Sequence, residues 1–146
     1  MSLETTIADE VVAALNAEVF SQAVTAVRDW LPVFDPDQLS NLKVTVIPKR
    51  TTIDNAARGV SKREHEIIVA VQKRLGIADG DTGDKPEIDA LHSLSVEIRD
   101  FLDQQSMTSG KFLRVEHRVM VDPDYIYELR TFTSLINVAY RAFISS

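Results

Sequence analysis

PEIDALHSLSVEIRDFLDQQSMTSGKFLRVEHRVMV, residues 86–121, contains both of the periodicities from which a fold is built. In its first half Ile88, Leu91, Leu94, Ile98, Phe101 and Leu102 recur at helical spacing, which places one apolar stripe on an amphipathic helix. Asp84 and Glu87 offer a capping box with Pro86 in the first turn, so the helix is predicted to start there and to end near Gln105. Residues 106–110 read as a loop closed by glycine. From Phe112 the period becomes two: Leu113, Val115, His117, Val119 and Val121 alternate with Arg114, Glu116, Arg118 and Met120. That is a strand with a wet face.

Downstream, Asp122-Pro123-Asp124-Tyr125 is turn chemistry. Residues 129–144 then alternate Phe132, Ser134, Ile136, Val138 and Tyr140 against Thr131, Thr133, Leu135, Asn137, Ala139 and Arg141, predicting the longest strand, next to the preceding one. Upstream, Thr6 and Asp9 resemble a capping box, and Ile7, Val11, Leu15 and Val19 place an apolar stripe on a helix over residues 6–19. Residues 20–34 read as extended, Asp35-Pro36-Asp37 as a turn opening a short helical turn through Leu39, and residues 42–48 as a strand. Residues 49–63 carry little apolar content and no period, which predicts a long loop. Residues 64–74 form a strand with His65, Ile67, Val69 and Val71 on one face, and residues 76–84 a polar connector. Strands joined through short turns favour a mainly antiparallel sheet of four to five strands. Two amphipathic helices on one face of it give a single α+β domain over residues 1–146.

Composition agrees with one globular domain. The chain has 146 residues, 45% hydrophobic and 26% charged, with net charge −6 and no cysteine. A chain of this length buries roughly 68–70% of its unfolded surface, enough for a core without cross-links. Without cysteine there are no disulfides, thiolate metal sites or thiol nucleophiles. No apolar run approaches a membrane span, and the first ten residues lack the features of a leader, so a cytosolic protein without membrane contact is expected.

Little in the sequence points to catalysis. His65, His92 and His117 have no second histidine at metal-binding spacing; His65 and His117 meeting across strands would be needed for an ion, and ordinary strand positions explain both. There is no Gly-x-Ser-x-Gly elbow or phosphate-cradling glycine loop. Pairs such as Asp79 with Asp81, or Glu64 with Glu66, read as solvated surface. No catalytic residue, metal ligand or cofactor is assigned. The candidate contact residues are basic: Lys49, Arg50, Arg58, Lys62 and Arg63 stand against Asp54 and Glu64, a local +3 in a chain of −6. The opposite charge lies elsewhere, notably between Asp79 and Asp89. Such a division suits contact between copies of the chain, or an arm meeting phosphate; a solvated loop explains it equally well.

In the order of its elements the chain resembles the tail terminator and related tail-completion proteins, minor tail proteins of long-tailed bacteriophages. The likeness runs through the opening helix around Ile7 to Val19, Trp30-Leu31-Pro32 leading into Leu42-Lys43-Val44-Thr45-Val46-Ile47-Pro48, and the long loop. It continues through Glu66-Ile67-Ile68-Val69-Ala70-Val71, the helix from Pro86 to Leu102 and the closing Asn137-Val138-Ala139-Tyr140-Arg141. It is a likeness of layout with no catalytic motif. It implies a noncatalytic virion subunit, made in the host bacterial cytoplasm, that assembles with itself into a ring, commonly a hexamer, at the head-proximal end of the tail. The implied partners are the major tail tube protein and the head–tail connector, with DNA passing through the lumen. A head-completion or neck adaptor role, or a small-ligand or metal-binding domain, are the competing expectations.

Overall fold

The computed structural model describes residues 2–33, 35–76 and 85–145. Their order is helix α1 (Leu3–Ala17), strand β1 (Ala26–Arg28), a 3-10 turn (Pro36–Leu39), β2 (Lys43–Ala57), β3 (Val60–Arg74), α2 (Lys85–Leu102), β4 (Lys111–Val119), α3 (Pro123–Leu129) and β5 (Thr131–Ser145). The fold is α+β. One five-stranded sheet runs β1-β2-β3-β5-β4, antiparallel at every pairing except β1 with β2. No helix of the described residues is long and apolar enough to cross a membrane.

The two apolar stripes cover one face of this sheet. Ile7, Val11 and Leu15 of α1 and Leu91, Leu94, Ile98 and Leu102 of α2 share a buried cluster with Val44, Val46, Ile67, Val69, Val71, Phe132, Ile136, Val138 and Tyr140. Register puts those strand residues in one layer: Val46 lies opposite Val69, and Val69 opposite Ile136. Each such side chain contributes about 1.5–3 kcal/mol by leaving water. α1 sits over the β1–β2 half and α2 over the β4–β5 half.

The opposite face is covered at one end only. Gln72 on that face exchanges hydrogen bonds with the Val33 backbone at 2.9 and 2.7 Å, and Arg74 reaches Asp37 at 3.4 Å. These contacts lay the segment around the 3-10 turn across β3. Beyond Glu66 none of the described helices covers this face, which is lined by charged side chains, among them Arg50, Glu64, Arg114 and Arg141.

Several expectations need correcting. α1 starts earlier than predicted: Ser2, not Thr6, is its cap, accepting from the Thr5 amide at 3.4 Å. Val19 falls past its end and is 89% exposed. The extended segment of residues 20–34 is reduced to three strand residues. They are held where the Asn16 side chain exchanges hydrogen bonds with the Ala26 backbone at 3.1 and 2.7 Å. Trp30 and Leu31 are exposed, with the Arg28 guanidinium over the Trp30 ring. The turn at Asp122 opens a helix instead of ending in a strand. Asp122 caps α3 by accepting from the Asp124 amide at 3.0 Å, Pro123 fits its first turn, and Arg130 closes it at φ 53°. The capping role of Asp84, the end of the extended segment at Phe34 and the polar connector past Gly76 lie outside the described residues. Glu87 accepts from the Gly76 amide at 2.9 Å.

Candidate functional site

The expected basic loop is not a loop. Residues 49–57 continue β2, and residues 60–63 begin β3. They are joined at Arg58 and Gly59, whose φ of 76° suits a turn residue without a side chain. The end of β5 pairs alongside as far as Ser145 opposite Val60. The result is a three-stranded arm, extending the sheet past the helices. Residues 52–59 are all exposed. Its sequence hides the strands because the outer arm needs no apolar row: none of the described helices packs on either side there. A bulge at Lys49 adds to the concealment. Before it, Val44 and Val46 face the helices; after it, Thr51 and Ile53 do.

The arm divides the five cations. Arg50 and Lys62 lie on the face away from the helices, Arg63 on the helix-side face, Arg58 at the tip and Lys49 at the bulge. Arg50 is committed to Glu66, whose carboxylate is nearly buried while the guanidinium reaches water. Asn137 donates to the same carboxylate at 3.1 Å, and Arg114 stands 3.9 Å away while ion-paired to Glu64. Burial alone would raise the Glu66 pKa; the bonds from Asn137 and Arg50 and the charges of Arg50 and Lys49 outweigh it and hold the group below its ordinary value. Arg58 and Lys62 make no ion pair among the described residues. The outer edge of β2 along residues 49–57 has no strand partner there either, since β1 covers only Val44 to Val46.

His65 and His117 do not share a site, whereas the His92 and His117 rings lie 6.1 Å apart. His65 lies opposite Tyr140 and His117 opposite Ile136, on different sides of β5. Among the described residues no group of three His, Asp or Glu gathers that could hold a metal ion. His117 instead belongs to a directed hydrogen-bond chain under α2. The Arg99 guanidinium donates to His117 Nδ1 at 3.3 Å, which leaves Nε2 to donate to Ser95 Oγ at 2.7 Å. Ser95 donates to Ser134 Oγ at 2.8 Å, and Ser134 to the Val119 carbonyl at 3.3 Å. In this arrangement His117 gives a proton toward Ser95, and the pair joins helix to sheet.

Both histidines give the fold a pH dependence. Burial lowers the pKa of His65, with Glu4 opposing and Arg63 assisting; burial also lowers that of His117, assisted by Arg99 and His92 and opposed by Asp100. The unfolded chain therefore takes up these protons near pH 6.5 while the native chain does not. Stability is full above that value and falls as pH drops from it toward the lower native pKa values. Urea unfolding at about pH 7.5 and about pH 5.5 is expected to show the loss, at up to ~1.4 kcal/mol per group per pH unit. A flat profile across that window would mean that both rings titrate as in water.

The chain matches no protein-family model and no curated protein.

Proposed function

We propose that this chain is a structural protein of a bacteriophage virion, a tail terminator or tail-completion protein that closes the head-proximal end of a tail tube by assembling into a ring. The observation that supports this most is the three-stranded arm, a sheet extension whose two outer edges, on β2 and on β5 past Arg141, have no partner among the described strands. A ring made through head-to-tail contacts requires two different surfaces on every subunit. The arm is one, and the far edge of the sheet along β4 is the other. The order of elements adds its resemblance. In this reading the tail tube protein and the head–tail connector are the neighbours, DNA passes through the lumen, and the working location is the virion, after assembly in the host cytoplasm. The chemistry is binding, with no bond made or broken.

The cations on the arm divide by availability: Arg58 and Lys62 are free to meet a neighbouring subunit, the tube or phosphate, whereas Arg50 is bound to Glu66. The variant Arg58→Glu/Lys62→Glu therefore tests the arm without disturbing the Glu66 cluster. Mass measurement in solution and electron microscopy with tubes of the cognate tail protein are expected to show rings or capped tubes for the parent chain. The variant should bind tubes or copies of itself roughly tenfold more weakly. A parent chain that stays monomeric and leaves tubes uncapped would overturn the proposal.

A further inference from the structure

We infer that the cleft between residues 106–111 and the end of β5 at Arg141 to Phe143 is an anion site built for a phosphate ester. This goes beyond the ring assignment and does not depend on it. The cleft has a volume of about 520 Å³, and its walls include Ser106, Thr108, Ser109, Lys111, Arg141 and Phe143. Lys111 and Arg141 are register partners across β4 and β5, so two cations stand side by side, an arrangement that costs stability until an anion neutralises it. Neither makes an ion pair among the described residues. The Nε of Arg141 is buried without a hydrogen-bond partner there. Its guanidinium is stacked over the Phe143 ring, 5.3 Å from the centroid.

The acids that could quench this pair are engaged. Glu64, opposite Arg141 on β3, is ion-paired to Arg114. Glu10, behind the loop, accepts from the Ser109 amide at 2.8 and 3.2 Å. The loop itself is preformed. Met107 and Gly110 exchange both backbone hydrogen bonds, at 2.8 and 3.3 Å. Gly110 lies so close on β5 that a Cβ there would meet Tyr140 Cβ at 2.9 Å and Ile7 Cδ1 at 3.2 Å.

The donor set selects the ligand. Ser106 Oγ accepts from the Phe112 amide at 3.0 Å, which leaves its proton to give, and Thr108 and Ser109 add two more hydroxyls. Two cations with three hydroxyl donors suit the several acceptor oxygens of a phosphate better than the two of a carboxylate. The half-exposed Phe143 ring offers a planar group on the same ester an apolar wall. Both a free nucleotide and a nucleic-acid backbone present this chemistry.

Amide NMR titrations with inorganic phosphate, adenosine monophosphate, a short thymidine oligonucleotide and a glutamate hexapeptide decide the matter. Phosphate is expected to saturate with Kd on the order of 1 mM, moving the amides of residues 106–111. The mononucleotide or the oligonucleotide should bind more tightly, and whichever does so identifies the source. Lys111→Gln, at an exposed edge position, should weaken phosphate roughly tenfold with an unfolding midpoint no lower than the parent's, and Lys111→Gln/Arg141→Gln should weaken it further. Lys43→Gln, at the opposite end of the sheet, should change nothing. The proposal falls if phosphate shows no saturable shifts, if Lys111→Gln leaves affinity intact, or if the acidic peptide binds and phosphate fails to displace it.

Discussion

Replacing Phe132 by alanine is expected to lower the unfolding free energy by about 3–5 kcal/mol, a large share of the roughly 5–15 kcal/mol that holds a domain together. Phe132 is fully buried on the helix-covered face, at the start of β5. Its removal leaves a ring-sized void under elements that cannot collapse into it. Phe143 on the same strand is 55% exposed and faces the other way. Its alanine variant is expected to lose about 1 kcal/mol or less, mainly the stacking with Arg141. Urea midpoints of the two variants check the contrast, and comparable losses would refute the assignment of faces along β5.

Arg50→Glu is expected to cost about 2–4 kcal/mol near neutral pH, because it replaces the main partner of a nearly buried carboxylate with a second carboxylate. The guanidinium is 63% exposed and Glu66 only 7%, so the effect comes chiefly from what is done to Glu66. Arg50→Met, which removes the partner without adding a charge, should cost less. The pH dependence supplies the sign. A carboxyl held below its ordinary value stabilises the fold fully above its unfolded pKa of about 4.5 and loses that contribution as pH falls through the lower native value. The gap between Arg50→Glu and the parent chain should therefore narrow in acid. A gap that is constant with pH would show that Glu66 is not the group affected.

Most of the architecture was legible because burial writes itself into sequence period. The stripes Ile7 to Leu15 and Ile88 to Leu102 and the alternation from Phe132 to Tyr140 all lie against the core. Legibility ends where burial does. The arm past Thr51 is wet on both faces, and its bulge at Lys49 inverts whatever alternation was left, so two strand segments read as a loop. α3 was hidden for another reason: Asp122-Pro123 begins both turns and helices, and its residues 123–129 include no fully buried side chain to mark a stripe. The five basic residues were visible as a group, yet pairing sends them to two faces, a bulge and a tip. The cleft cations were missed because Lys111 and Arg141 are far apart in sequence and meet only through the β4–β5 register. The hydroxyl run Ser106, Thr108 and Ser109 ahead of Lys111 was the available signal.

The order β1-β2-β3-β5-β4 also governs how this chain comes off the ribosome. α1 and the first three strands can join while synthesis continues, but β4 pairs only with β5 among the described strands, and β3 waits for the same strand on its other side. A nascent chain halted before Thr131 therefore carries, on β3 and on β4, two backbone rims that only β5 can mate, the condition that invites clumping with other chains. Arrival of β5 closes both at once, and it is late: its residue partners on β3 lie far back along the chain, so productive folding waits on long-range pairing.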